Sequence, residues 1–224
     1  MSLQKLPEVE LHLHPGCGLN YEVVSTIDST VTKEIYLKEY VAPAKCSDLA
    51  NFITRAVTGF APVQTKAQLQ LVVHDLFKQL AANNTRYAEL RVTPLQHTPK
   101  DLTANEVVLA TEQAIAAAIQ QTGLGARLIL CTLRHFTEAQ GMERVRLVEQ
   151  FKGTAVAGLD IAADEAGFPV TKHISAFRYA KEKRIFCTAH AGEAKGSGSV
   201  WESLEHFGPI QSATVYVAYK TQNW

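Results

Sequence analysis

Two histidines separated by one residue near the start of the chain have the spacing of a metal site. His12 and His14 end a run of alternating apolar and polar residues, Glu8 to His14, and alternate residues of a strand point to the same face. Both imidazoles can therefore reach one ion at Zn–N distances of about 2.0–2.1 Å. The other interpretation of the pair is two hydrogen-bonded histidines without a metal.

A third histidine, His190, is followed three positions later by the carboxylate of Glu193. Catalytic zinc needs several protein ligands and an open position for water, and it lowers the pKa of that water to about 7. A nearby carboxylate can then move protons to and from a substrate. A third imidazole and a candidate proton shuttle therefore occur together in this short segment.

The segments that must position these residues alternate between strand and helix patterns. The predicted strands are Glu8 to His14, Tyr87 to Thr93, Ala126 to Leu133, Ala155 to Ile161 and Ile185 to His190. Apolar stripes at helical spacing lie between them, at Leu69 to Leu80, Val108 to Ile119, Met142 to Phe151 and Ile174 to Ala180. This alternation predicts an α/β fold with parallel strands. The first connection, about residues 15–84, predicts a helical insertion that covers a site as a lid.

The first two predicted strands each have one polar face. Glu10, His12 and His14 share a face of the first strand, and the second strand, Tyr87 to Thr93, repeats the pattern. A doubly wound sheet has apolar residues on both faces because helices cover both. A barrel with a polar interior near its catalytic end accounts for these rows, since TIM barrels place functional groups at the C-terminal ends of strands.

Composition excludes several other classes of protein. Of 224 residues, 46% are hydrophobic and 20% charged, which is typical of one sizeable globular domain. Lys plus Arg (22) balances Asp plus Glu (22), so no nucleic-acid partner is expected. The four cysteines form no CxxC pair, and no apolar run is long enough for a signal peptide or membrane span. We therefore expect a cytoplasmic protein without a membrane partner.

Four motifs resemble those of the adenosine deaminase family, and the agreement runs from about residue 5 to residue 208. They are Leu6 to His14, Arg86 to Arg91, Gly158 to Glu165 and His190 to Glu193. The resemblance implies a (β/α)8 barrel and a zinc ion held by His12, His14 and His190. It also implies that Glu193 protonates the purine ring nitrogen beside the attacked carbon. Hydroxide formed from water at the metal adds to that carbon, and ammonia leaves.

Two positions depart from the family pattern where a substrate would bind. Gly16 stands where the family usually has an acidic residue that contacts the sugar. Ala163 replaces a glycine whose backbone N–H contacts the purine, and its methyl group adds bulk at a close approach. The substrate expected is a purine nucleoside such as adenosine, with adenine or another aminated purine as the alternative.

The C-terminal part of the family pattern is missing from this sequence. The family continues to a strand with a catalytic histidine and to a strand ending in paired aspartates, whereas this chain has one possible strand in Pro209 to Lys220 and ends at Trp224. We therefore expect residues 1–224 to form a single, truncated barrel domain with about five to six strands. The alternative of another class is an inactive fragment. Asp160 and Asp164 are candidates for orienting the metal ligands, although a turn explains Asp164 equally well.

Overall fold

The computed structural model describes residues 6–208 and the backbone of Gln211–Ser212. The chain divides into two compact units. The first comprises Met1–Lys45 and Thr54–Leu128, and the second comprises Cys46–Ile53 and Ile129–Trp224.

Parallel strands and helices of the first unit follow one another along the chain. They are β1 (Glu8–Leu13), α1 (Tyr21–Ile27), α2 (Lys33–Glu39), α3 (Leu49–Phe60, from Thr54 onward), α4 (Lys66–Ala82), β2 (Thr85–Val92), α5 (Ala104–Thr122) and the start of β3 (Gly125–Leu133). β1 and β2 are parallel, with Glu8 opposite Thr85 and Leu13 opposite Leu90. Four helices thus occupy the connection between β1 and β2.

The second unit continues the alternation from the rest of β3. Its further elements are α6 (Glu138–Gln150), β4 (Val156–Ala162), α7 (Ile174–Glu182), β5 (Phe186–Ala189), α8 (Gly196–Phe207) and β6 (Gln211–Ser212). β4 and β5 are parallel, with Gly158 opposite Phe186, and β5 pairs in parallel with β6. Strand order follows chain order, as expected when each strand is joined to the next by a helical crossover.

Local sequence signals explain where the helices begin and end. Thr103 and Glu106 form a reciprocal capping box at the start of α5, and Gly123 ends that helix in the left-handed conformation. Thr137 and Gln140 form a second capping box at α6. Such caps satisfy backbone N–H groups that the first helical turn leaves without partners. Within residues 6–208, the helices lack the combination of length and hydropathy that crossing a membrane requires.

The predicted strands agree with the observed ones to within two residues at each end. The tail strand predicted over Pro209 to Lys220 lies outside the described residues, apart from the short β6. The apolar side chains of β1 and β2 differ in burial: Ala88 and Leu90 are fully buried, whereas Val9 is 60% and Leu11 38% exposed. β1 stands at the end of the strand order. Its alternating sequence pattern does not ensure that another element packs over its apolar face.

Candidate active site

The first unit brings His12 and His14 together at the end of β1. Their Nε2 atoms lie 3.1 Å apart, and the ring centroids are separated by 5.2 Å. Two nitrogens on one tetrahedral zinc, at Zn–N distances of about 2.0–2.1 Å, are about 3.3 Å apart. The separation of the two rings therefore fits a pair of ligands on one metal ion, as well as a direct hydrogen bond.

Backbone contacts within the first unit fix the end of β1. Cys17 donates its backbone N–H to the His14 carbonyl at 2.8 Å, which closes the turn that begins at Pro15. Arg91 on β2 is buried, and its Nη1 donates to the carbonyl of Leu11, the residue before His12. The alternation within Tyr87 to Thr93 puts Glu89, Arg91 and Thr93 on the polar face of β2, but it gives no sign of this link, because the partner of Arg91 is 80 positions away.

The second unit places His190 directly after β5, where the side chain is buried and its Nδ1 has two polar neighbours. Its Nδ1 lies 3.0 Å from the Asp160 carboxylate and 3.1 Å from the Ile161 carbonyl. Metal-binding histidines commonly direct one ring nitrogen to a carboxylate or carbonyl, which fixes the tautomer and aims the other nitrogen at the metal. The surroundings of His190 therefore suit a metal ligand that binds through Nε2. Asp160 lies where it can orient the His190 ring, which is the role that the sequence suggests for this residue.

Glu193 lies in the loop between β5 and α8 and is half-buried. Burial raises the pKa of its carboxyl above the ordinary value, and the carboxylates of Glu165 and Asp160 raise it further. A carboxyl group with a raised pKa holds its proton closer to neutral pH and so can act as a general acid. The environment of Glu193 therefore suits a proton shuttle.

The two acidic residues that follow β4 have different roles. Asp164 accepts hydrogen bonds from the backbone N–H groups of Ala166 and Gly167, both at 3.1 Å, so it forms a turn. Glu165 is fully buried and accepts hydrogen bonds from the loop that carries Glu193. The sequence motif contains Glu165, but its pattern gave no indication of these partners.

Gly16 is buried in the turn after β1, and its position leaves no room for a side chain. A Cβ atom on Gly16 would overlap the ring of Phe60, at the end of α3, and a Cβ on Gly59 would overlap the Gly16 carbonyl oxygen. α3 thus packs directly against the backbone at this point. An acidic side chain at position 16 would require Phe60 to move.

We expect Gly16→Asp to lower the free energy of unfolding by about 1–3 kcal/mol, because it overpacks this contact. Gly18→Asp is the matched control, since a Cβ there meets only Leu76 at an ordinary 3.8 Å, and its effect should stay within about 0.5 kcal/mol. Chemical denaturation measures both. Removing the ring with Phe60→Ala should reduce the cost of Gly16→Asp, and equal costs in the two backgrounds would contradict the packing explanation.

Ala163 follows β4 with a φ of 83°, a conformation that favours glycine. The methyl group therefore adds backbone strain at the position where the resembling family has glycine. The backbone at Ala163 keeps the conformation that glycine would adopt. The N–H group of this residue therefore remains in the loop although alanine replaces glycine.

Ala163→Gly is expected to raise the free energy of unfolding by up to about 1 kcal/mol, because relief of the positive-φ strain exceeds the added freedom of the unfolded chain. The neighbouring Ala162→Gly is the control: Ala162 is a buried residue of β4 without positive φ. Glycine there should destabilise by roughly 0.5–1 kcal/mol. Denaturant titration of the two variants should give opposite signs, and the same sign would contradict the assignment of strain.

Comparison with known protein families gives a match over most of the chain. The family model described as adenosine deaminase matches residues 7–209. An adenosine deaminase of Enterococcus faecalis is 33% identical over 198 residues, covering 85% of this chain and 58% of that protein. Adenosine deaminase 1 of Streptomyces coelicolor is 36% identical over 219 residues, covering 92% of this chain and 55% of that protein. The chain therefore spans a little over half the length of these relatives.

Solved structures share the fold at lower sequence identity. The adenine deaminase of Arthrobacter aurescens superposes with a TM-score of 0.79 at 23% identity, covering 91% of this chain and 63% of that one. An amidohydrolase of Burkholderia ambifaria with bound Zn gives a TM-score of 0.86 at 20% identity, covering 97% and 61%. These matches confirm the predicted α/β fold of the TIM-barrel type, with part of the barrel present in this chain.

Proposed function

The chain belongs to the adenosine deaminase family, and from that premise we propose that it functions in the zinc-dependent hydrolytic deamination of a purine nucleoside such as adenosine. In this reaction the oxygen of water replaces the exocyclic amine, giving inosine and ammonia from adenosine. The observation that carries the proposal is His190, whose Nδ1 lies 3.0 Å from Asp160, three positions before a half-buried Glu193 of raised pKa.

In the proposed site, His12, His14 and His190, the ligands that the family resemblance implies, would each offer one ring nitrogen to a zinc ion. The chemistry of this donor set suits zinc, which binds neutral imidazoles and keeps an open position in catalytic sites. When bound, zinc lowers the pKa of water so that hydroxide is available near neutral pH. Asp160 keeps His190 in one tautomer and orientation, which supports binding through Nε2.

Glu193 is the proposed general acid and base. Its carboxyl group donates a proton to the purine ring nitrogen beside the carbon that is attacked, which makes that carbon more electrophilic. The raised pKa of the Glu193 carboxyl supports this role, because a proton must be present on the group before it can be donated.

The second candidate substrate is adenine or another aminated purine, and Gly16 is the feature that favours it. No side chain can extend from this position without moving Phe60, so the acidic sugar contact of the resembling family is lacking here. The backbone N–H of Ala163 is the proposed contact for the purine ring. The matches to adenosine deaminases give no support to the alternative of a non-catalytic fragment.

Ammonia release from a panel of purines tests the proposal. The purified protein, supplied with zinc, would be assayed for ammonia release from adenosine and adenine and for methylamine release from an N6-methylated purine, and inosine would serve as the control without an exocyclic amine. We expect release from adenosine. Release from adenine alone would favour the second substrate. A folded, zinc-loaded protein that releases neither ammonia nor methylamine from any purine of the panel would contradict the proposed activity.

A further inference from the structure

We propose that Glu165 is a positioning residue that holds the loop between β5 and α8 in the conformation from which Glu193 acts. This inference rests on the proposed function of Glu193, but the contacts that carry it lie within the second unit and are independent of any ligand. Glu165 has 0% exposure, whereas the residues Ala194 and Lys195 of the loop are exposed. A buried carboxylate, that of Glu165, thus holds a loop that is exposed at Ala194 and Lys195.

Three backbone amides of the loop point at the Glu165 carboxylate. Gly192 donates to Oε1 at 2.7 Å, and Ala194 and Lys195 both donate to Oε2, the latter at 2.9 Å. The donors Gly192 and Ala194 lie on either side of Glu193 in the chain. The backbone on both sides of the proposed proton shuttle is therefore fixed to one carboxylate.

The start of α8 adds a fourth donor to the same group. The hydroxyl of Ser199, in the first turn of α8, donates to Glu165 Oε1. Lys195, the residue before the helix, provides no side-chain cap. The Glu165 carboxylate, from another part of the chain, lies at this end of the helix, where the helix dipole favours negative charge. Glu165 thereby fixes both the loop and the helix that follows it.

Arg134 compensates the buried charge and extends the anchor to His190. Its Nη2 lies 3.6 Å from Glu165 Oε1 and donates to the His190 carbonyl at 2.8 Å, and its side chain is 1% exposed. Burial alone would raise the pKa of Glu165, but the hydrogen bonds from Ser199 and the loop amides lower the pKa overall. The carboxylate is therefore charged at neutral pH and accepts every one of these bonds.

Gly192 gives the loop conformational freedom that the hydrogen bonds to Glu165 restrict. Its φ is 85°, and a Cβ there would lie 2.8 Å from Val200 Cγ2. The loop thus passes close to α8 through a glycine, which has more freedom in the unfolded state than other residues. Hydrogen bonds to a fixed carboxylate restrict that freedom, and misplacement of a catalytic group by about 1 Å can cost up to a hundredfold in rate.

Glu165→Gln tests the inference, because it keeps the size of the side chain but turns an amide N–H₂ toward the N–H donors. We expect amide hydrogen exchange at Gly192, Ala194 and Lys195 to accelerate by about tenfold or more, with β4 unchanged. Trypsin should cleave faster after Lys195. The kcat for deamination should fall by about 10- to 100-fold while KM stays within about twofold.

Two further variants separate positioning from a general loss of stability. Glu182→Gln removes an exposed carboxylate at the end of α7 and should change none of these readouts. Ser199→Ala keeps the Glu165 carboxylate and removes one donor, so it should give a smaller change in the same direction and decides the question if Glu165→Gln does not fold.

Unchanged exchange and cleavage of the loop in folded Glu165→Gln, or in Ser199→Ala if that variant alone folds, would overturn the inference. A loosened loop with normal kcat would overturn it as well. Exchange and proteolysis need no substrate, so a chain that deaminates no purine would contradict the proposed function while these two measurements still decide whether Glu165 holds the loop.

Discussion

Glu193→Gln is expected to lower turnover by at least about a hundredfold while leaving purine binding intact. Glutamine keeps the shape of the side chain and can form hydrogen bonds, but it has no acidic proton to donate to the ring nitrogen. Loss of an interaction that is made only in the transition state lowers kcat without raising KM. Steady-state ammonia release gives kcat and KM, and equilibrium dialysis with a purine gives the binding affinity.

The matched control is Glu205→Gln, which makes the same chemical change at an exposed position on α8. It should leave kcat and purine affinity unchanged. If Glu193→Gln kept near-normal turnover in a preparation where Glu205→Gln is also normal, the role of Glu193 as proton shuttle would have to be abandoned. Loss of purine binding together with turnover would instead assign Glu193 to substrate binding.

His190→Ala should remove most of the zinc from the protein. The wild-type chain is expected to bind about one zinc ion, and a site built from few imidazoles loses much of its affinity when one is removed. His12→Ala should have the same effect. Metal analysis after gel filtration measures the zinc content of each variant.

His206→Ala is the control for the zinc measurement, since His206 is exposed in the last turn of α8. It should retain the wild-type zinc content. The zinc content of Asp160→Asn should lie between that of His190→Ala and that of His206→Ala, because loss of an orienting carboxylate typically weakens metal affinity by about 10- to 100-fold. Unchanged zinc content in both His12→Ala and His190→Ala would rule out the proposed ligands.

The strand patterns and the histidine positions could be predicted because both depend on local sequence. Alternation places His12 and His14 on one face of β1, and their Nε2 atoms are 3.1 Å apart. Asp160 was a candidate for orienting a ligand because it lies in the fourth-strand motif, and its carboxylate lies 3.0 Å from His190. Periodicity and motif spacing carry this kind of information.

Contacts between distant segments could not be predicted in the same way. Glu165 accepts a hydrogen bond from Ser199, 34 positions later, and nothing in the alternation of apolar residues signals that a carboxylate is buried there. Phe60 is also distant along the chain from Gly16, yet its ring occupies the space for a side chain at that glycine. Such features depend on which helix covers which strand end, and a single sequence does not encode this in its periodicity.

The exposed apolar face of β1 has a consequence for the behaviour of the protein in solution. Val9 is 60% and Leu11 38% exposed, and β1 ends the strand order in the part of the chain that the structure describes. A strand in this position can add a strand from another molecule, but charged side chains on it oppose such pairing through mutual repulsion. Glu8 and Glu10 supply this repulsion, and since salt screens it, self-association of the protein should increase with ionic strength.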